Sequence, residues 1–148
     1  MCDYCDCRSH TEIAELSAEH EELTSLLGHL RVAVQANDRA EAGRLVTAMH
    51  NRLPGHAARE ERGVFPELRT QVGADYVAMF EEDHASIHDL LDQAAGEAWA
   101  AASVELADRL ADHILREESD LFPAAHQLLT SDQWSHIDEQ RTQTRIDP

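Results

Sequence analysis

The chain has 148 residues, enough for one domain with a buried core, and its 12 Lys and Arg against 29 Asp and Glu give a formal net charge of −17 at pH 7. That charge would repel nucleic acid and anionic membrane surfaces, and no apolar run approaches the ~18 residues of a membrane span. The first twenty residues contain no secretory apolar region, so we expect a cytoplasmic protein without nucleic-acid or membrane partners.

Histidine is the unusual component of this sequence. There are 10 His residues but only 2 Trp, 2 Tyr and 3 Phe. Histidine is costly in an apolar core and common in metal sites, so these residues need an explanation. Five of them form a pattern described below, and His10 lies beside a group of cysteines. The remaining four are expected at the surface, namely His29, His50, His126 and His136.

The N-terminal segment, residues 1–9, contains all three cysteines. Cys2, Cys5 and Cys7 form the pattern Cys-x2-Cys-x-Cys-x2-His with His10. Thiolates at this spacing could bind zinc or another metal such as copper(I), or act as a redox cluster. A structural zinc site usually takes its ligands from two separated segments, which favours a tail with free thiols instead. All three interpretations remain open at this point.

An Ala-, Leu-, Glu- and Arg-rich composition with few β-branched runs predicts an all-α fold. The first helix is predicted to begin after a capping box at residues 9–12 and to end near Ala36. The second begins near Asp38, is kinked or interrupted at Pro54, and reaches Phe65-Pro66.

The second half of the chain repeats this organisation. The third helix is expected to be capped by Asp75 and to end near Gly96, and the fourth to run from about Ser103 to a break at Phe122-Pro123. Short helical segments and a polar tail are expected beyond it, including residues 131–148. Four helices with short connections predict an up-down-up-down four-helix bundle with a short C-terminal helical segment.

The sequence contains an internal repeat. The pattern LxxHxxREExxxFP occurs at residues 53–66 and again, 57 residues later, at residues 110–123. The first and third helices also match each other, with His20 and His84 at equivalent positions 64 residues apart. The predicted bundle, over residues 10–130, is therefore a pseudo-duplication with four inward histidines at one level along its axis.

The repeated spacing favours metal binding. His56 with Glu60, and His113 with Glu117, are four residues apart and project from one side of their helix. Unpaired carboxylates and imidazoles would be costly in a core, and metal ions would remove that cost. Nitrogen and oxygen donors with carboxylates that can bridge suit a pair of iron or manganese ions. The third helix adds His88, so that one metal can receive three histidines.

These residues resemble the hemerythrin-like family, also called the HHE cation-binding domain. The resemblance implies a four-helix bundle around two iron ions, a non-haem di-iron centre that is oxo- or hydroxo-bridged. It implies that one iron is held by His84, His88 and His113, that the other is held by His20 and His56, and that Glu60 and Glu117 bridge them.

The acidic pair after His113 leaves the choice of bridging residue open. O2-carrying members of the family place an Asp five residues after this histidine, whereas this chain has Glu117 at four and Glu118 at five. Position five is rotated ~140° from the histidine, so we expect Glu117 to bridge. Glu118 and its counterpart Glu61 are then expected to be solvated.

The leading functional hypothesis is a di-iron protein that binds or reacts with O2, peroxide or nitric oxide at an open iron position. The alternatives are a non-catalytic iron or oxygen sensor or iron-storage module, and a purely structural bundle. A ferritin-like site is disfavoured, because that class uses Glu-x-x-His and this chain has His-x3-Glu.

Overall fold

The computed structural model describes the chain from Cys7 to Ile146. Within this range the chain is helical and contains no strand, as predicted. A 3-10 turn at Cys7–Ser9 and a π-helical segment at Glu117–Leu121 accompany the α-helices. The helices are α1 (Thr11–Gln35), α2 (Arg39–Arg62), α3 (Val64–Val72), α4 (Ala74–Ala94), α5 (Trp99–Arg116), α6 (Phe122–Leu128) and α7 (Ser131–Ile146). No helix in this part of the chain is long and apolar enough to cross a membrane.

The four long helices α1, α2, α4 and α5 surround the core. α1 packs against α2 and α5, and α4 packs against the same two helices. Two apolar clusters fill the interior, one at each end. The first contains Leu23, Met49, Leu91 and Leu106, and the second is built around residues such as Phe65, Phe80 and Phe122, with α6 and α7 contributing.

The space between the two clusters is polar. In α1 and α4, the buried apolar side chains before the central histidine belong to the second cluster and those after it to the first. The apolar side chains of α2 and α5 belong to the first cluster, and the second cluster resumes beyond these helices, in α3 and in the π-helical segment. His20, for example, lies between Leu16 of the second cluster and Leu23 of the first. The fold therefore places one histidine from each long helix at the boundary between the clusters.

The ends of α1 and α2 differ from the sequence prediction. The capping box at residues 9–12 is not formed, because Ser9 belongs to the 3-10 turn and His10 occupies the N-cap without a side-chain cap bond. Helix α2 continues through Pro54 and ends instead before Gly63. Pro66 lies in the first turn of α3, where its missing N–H removes no helical hydrogen bond, so the break at Gly63 accommodates this proline.

In the equivalent region of the second half, the helix widens into a π-helical turn and does not break. The predicted stop at Phe122-Pro123 is wrong, since the chain stays helical from α5 through the π-helical segment into α6. The Phe122 N–H bonds to the carbonyl of Glu117, five residues earlier. Pro123 cannot donate to the carbonyl of Ser119, and the wider turn accommodates that loss.

Three further helix boundaries also differ from the prediction. Asp75 lies inside the first turn of α4, and Gly73, with a φ of 92°, occupies the N-cap. Helix α5 begins at Trp99, earlier than the predicted Ser103. Helix α7 reaches Ile146 and so includes most of the segment predicted to be a polar tail.

We expect Gly63→Ala to destabilise the protein by about 1–3 kcal/mol, because a Cβ there would lie 2.9 Å from the Arg59 carbonyl oxygen. Gly43→Ala is the control, since that position in α2 has nothing within 4 Å and helical alanine is favoured by up to about 1 kcal/mol. Urea unfolding of both variants checks this. Equal stabilities of the Gly63 variant and the wild-type protein would contradict it.

Candidate metal centre

Six polar side chains meet at the boundary between the apolar clusters. α1, α4 and α5 each contribute one histidine, α2 contributes a histidine and a glutamate, and the π-helical segment contributes the second glutamate. Five of the six residues are buried, and the side chain of the sixth, His84, is only 9% exposed. The six residues are His20, His56, Glu60, His84, His113 and Glu117.

These side chains form two overlapping groups, each of which could hold a metal ion. The ligand atoms within each group lie within 4.8 Å of one another. Both groups contain Glu60 and Glu117, and they differ in their histidines. The first group, called half-site 1 below, adds His20 and His56, and half-site 2 adds His84 and His113. Two glutamates common to two sites is the arrangement expected of carboxylates that bridge two ions.

All four imidazoles direct Nε2 toward one of the glutamates. The distances from Nε2 to Oε1 are 3.0 Å for His20 and Glu117, 3.0 Å for His56 and Glu60, 3.2 Å for His113 and Glu117, and 3.5 Å for His84 and Glu60. The helical i,i+4 spacing predicted from the sequence accounts for the second and third of these contacts.

The donor atoms are poorly satisfied by one another. Both carboxylate oxygens of Glu60 and of Glu117, and Nε2 of His84 and His113, are buried without a hydrogen-bond partner. The Nε2 atoms of His20 and His56 lie 3.1 Å apart, so both cannot carry a proton directed at the other. Buried carboxylates in this state cost several kcal/mol. Divalent cations between these nitrogen and oxygen atoms would satisfy them, and the residues therefore fit a metal centre.

In the metal-free protein the glutamates shift the histidine pKa values strongly. Burial opposes the charged imidazoles, but the hydrogen bonds and charges of neighbouring carboxylates outweigh it and raise the pKa of His20 to about 9. The same balance raises the pKa of His56 to about 10 and that of His84 to about 9. Burial alone would raise the pKa of Glu60, but the His56 charge holds it well below its usual value. Protonation within the histidine cluster thus supplies part of the positive charge that cations would supply.

A second layer of carboxylates orients the four rings, and sequence reasoning missed it. In each histidine Nδ1 faces a carboxylate outside the cluster, which leaves Nε2 directed inward. The distances are 3.0 Å for His20 and Glu118, 2.8 Å for His56 and Glu19, 3.1 Å for His84 and Glu61, and 3.1 Å for His113 and Asp83. Metal-binding histidines usually have such a partner, which fixes the tautomer and the ring orientation.

The signal for this second layer was present in the repeat. Glu19 and Asp83 directly precede His20 and His84, and Glu61 and Glu118 directly follow the two bridging candidates. Each outer carboxylate therefore recurs in the second half of the chain at the same residue spacing as the inner histidines and glutamates. Sequence alone does not show that Glu19 serves the ring of His56 on the neighbouring helix, because that contact depends on how α1 and α2 pack.

Glu118 is not solvated, contrary to expectation. Its side chain is 8% exposed, Oε1 faces His20, and Oε2 accepts a hydrogen bond of 3.2 Å from the Ser17 hydroxyl. The π-helical segment, wider than an α-helix, lets consecutive residues Glu117 and Glu118 both face the interior. Glu61 is 41% exposed, as expected, although it also contacts His84.

His88 does not join either group of donors. It is exposed and lines a cavity of about 50 Å³ beside the cluster, together with the four buried or nearly buried imidazoles. Apolar side chains such as Leu23, Leu53 and Ile87 form the rest of the wall. A space of this size accommodates a water molecule or a diatomic ligand. The histidines of both half-sites thus border a cavity large enough for a small molecule.

The N-terminal cysteines are only partly within the described residues. Cys2 and Cys5 lie outside them, whereas Cys7 is fully buried in the second apolar cluster, where burial raises the pKa of its thiol. His10 stacks on Trp134 at 3.8 Å between ring centroids, and its Nε2 lies 3.1 Å from Nδ1 of His126.

Cys7 is therefore a core residue and not a thiol in a free tail. The prediction of a surface position for His126 is also wrong, because this residue is half-buried and paired with His10. His29, His50 and His136 are exposed, as predicted.

One known family matches most of the chain. The hemerythrin HHE cation-binding domain matches residues 11–125, a range that contains every residue of both half-sites. The chain therefore belongs to this family of cation-binding helical domains. No curated protein and no solved structure gives a significant match.

We expect the free energy of unfolding of the metal-free protein to fall by at least about 1 kcal/mol between pH 6.5 and 10. The pKa values of His20, His56 and His84 are raised from 6.5 to about 9, 10 and 9, so their stabilising charge is complete below pH 6.5 and is lost as the pH rises through those values. Urea unfolding at several pH values in the presence of a chelator measures this change in the free energy of unfolding. The exposed His29→Ala variant is the control for a surface histidine. Constant or rising stability over this range would contradict the expectation.

Proposed function

We propose that this chain is a non-haem di-iron protein that binds or reacts with a small ligand, O2, peroxide or nitric oxide, at an iron position open to the cavity. The carrying observation is the pair of donor groups that share Glu60 and Glu117 and border a cavity of about 50 Å³. The donors are imidazole nitrogens and carboxylate oxygens without a thiolate, which suits iron better than a structural zinc ion.

The proposed ligand assignment follows the two groups. Half-site 1 would hold one ion through His20 and His56, half-site 2 would hold the other through His84 and His113, and Glu60 and Glu117 would be shared by both. His88 would complete a three-histidine set in half-site 2, which leaves half-site 1 with the open position. Bound iron would supply the redox and ligand-binding chemistry.

The proposed architecture is an up-down-up-down four-helix bundle. Its support is the alternation of the apolar clusters, because α1 and α4 begin beside the second cluster and α2 and α5 begin beside the first. Such an arrangement brings one histidine from each long helix to the same level.

The residues of the chain have three tasks in this proposal. The outer carboxylates hold Nδ1 of each histidine and keep Nε2 directed at the donor cluster. The apolar wall of the cavity, including Leu23, Leu53 and Ile87, restricts water beside the centre. Exposed His88 lies on the wall of the same cavity, and the proposal gives it the task of a further nitrogen donor to half-site 2.

Anaerobic purification with metal analysis tests the proposal, followed by absorption spectra after addition of O2, peroxide, nitric oxide or azide. We expect two irons per chain and a spectrum that depends on the ligand. His56→Ala and His113→Ala should each lower the iron content to about one or fewer per chain, because each removes a nitrogen donor from one half-site. His29→Ala, a change at the surface of α1, should retain both. One zinc per chain, or no metal, would overturn the proposal.

A separate variant tests the position of His88. We expect His88→Ala to weaken one of two Fe(II)-binding steps and leave the other unchanged, because the proposal gives this residue to a single half-site. Anaerobic calorimetric titration measures both steps, with His50→Ala, a neighbouring exposed histidine, as the control. If both steps match those of the wild-type protein, His88 is a residue of the cavity wall and not a ligand.

The alternative function is a non-catalytic sensor or iron-storage module. The charged histidine–glutamate cluster favours this alternative, because replacing its buried protons with cations must change the free energy of unfolding of the domain. Limited proteolysis and size-exclusion chromatography with and without iron distinguish a sensor. Unchanged proteolysis and oligomeric state would leave the ligand-binding function as the better account.

A further inference from the structure

A third layer of charge lies outside the carboxylates that orient the histidines. Arg59 and Arg116 occupy equivalent positions of the internal repeat, each three residues after a histidine of the cluster. Arg59 donates to Glu19, the partner of His56, and Arg116 donates to Asp83, the partner of His113. Each half-site therefore contains the same succession of arginine, carboxylate and imidazole.

The two arginines differ in their other partners. Arg59 also donates to Glu12, and to Glu15 at 3.1 Å. The equivalent positions in the second half, 64 residues later, hold Tyr76 and Met79, which carry no charge at neutral pH. Among the described residues, Asp83 is the one carboxylate that forms an ion pair with Arg116.

The difference in partners is accompanied by a difference in burial. The Arg59 side chain is 16% exposed and that of Glu12 is 2% exposed, whereas the Arg116 side chain is 46% exposed. An exposed ion pair is worth little and holds its members loosely. The mostly buried Arg59 guanidinium contacts three carboxylates, so its N–H groups point in fixed directions and the side chain cannot easily reorient.

The Arg59 network also joins several helices. Glu12, Glu15 and Glu19 lie on successive turns of α1, and Arg59 reaches all three from α2. Arg141 of α7 approaches Glu15 at 4.0 Å. The orientation of Glu19 is thus fixed by contacts between helices that lie outside the donor cluster.

We propose that Arg59 is a positioning residue that acts through Glu19 to lock the ring of His56, which makes this histidine of half-site 1 more rigid than His113 of half-site 2 and strengthens metal binding at half-site 1. The inference rests on the proposed di-iron function for its metal-binding part. It assigns the difference in ring rigidity to Glu12 and Glu15, where the internal repeat departs from symmetry, and it does not depend on the third histidine proposed for half-site 2.

The first test uses metal-free protein and the matched variants Arg59→Gln and Arg116→Gln. Relaxation of the 13Cε1 signals measures the mobility of each histidine ring on the picosecond to nanosecond timescale. We expect R59Q to increase the mobility of the His56 ring clearly, and R116Q to change the His113 ring much less. Equal changes in the two variants, or no change at His56, would overturn the proposal.

The second test is anaerobic titration with Fe(II) alone. In the wild-type protein we expect two binding steps, and R59Q should weaken one of them by about tenfold, the low end for a residue outside the donor set. R116Q should weaken the other step by a smaller factor. Equal losses in the two variants, or no loss in R59Q, would overturn the proposal.

A double-mutant cycle separates positioning from general stability. If Arg59 acts through Glu19, the double variant E19Q/R59Q should bind Fe(II) no more weakly than E19Q alone. Additive losses would show a separate effect of Arg59 and overturn the proposal. Glu22→Gln is the control, because this carboxylate of α1 is 64% exposed and pairs with Arg52 instead of Arg59.

Two further outcomes remain distinguishable. If R59Q does not fold, R59K replaces it, because lysine keeps the charge without the planar guanidinium. We then expect smaller changes of the same kind in the mobility of the His56 ring and in the affinity for Fe(II). Unchanged ring mobility in R59K would count against the proposal. If the wild-type protein binds fewer than two Fe(II) ions, the proposed function fails, while the ring mobility of metal-free protein still decides the role of Arg59.

Discussion

The structure depends on the burial of two carboxylates between two apolar clusters. Glu60 and Glu117 are fully buried, and none of their oxygens has a hydrogen-bond partner. Such groups are tolerated only when opposite charge lies next to them. In the metal-free protein the imidazoles supply that charge, as the raised pKa of His56 indicates, and cations would supply it in the loaded protein. The other polar features of the interior serve this neutralisation.

The polar interior is organised in layers around the two carboxylates that both half-sites share. Imidazoles surround Glu60 and Glu117, a second set of carboxylates holds the imidazoles, and arginines hold two of those carboxylates in turn. The internal repeat generates the same layers twice. The two halves differ in the partners of Arg59 and Arg116, since Arg59 contacts three carboxylates of α1 and Arg116 pairs with Asp83.

The accuracy of the sequence predictions varied with the range of the interactions involved. The long helices and the inward positions of His56 and Glu60 follow from local periodicity and were predictable. Helix ends were less so, because Pro54 and Pro66 are equivalent as local signals. Only packing decides that α2 continues through the first and breaks before the second. The π-helical segment that buries Glu118 was likewise not predictable from local pattern.

The sequence by itself determined the class of fold, the family and the inner donors, because a helix places residues four apart on the same side whatever it packs against. The tertiary structure decided which acid faces which ring. It joined Glu19 to His56, placed His88 on the wall of the cavity beside the cluster, and buried Cys7 in the second cluster. These outcomes depend on the rotation and spacing of neighbouring helices, which arise from contacts between residues distant in the chain.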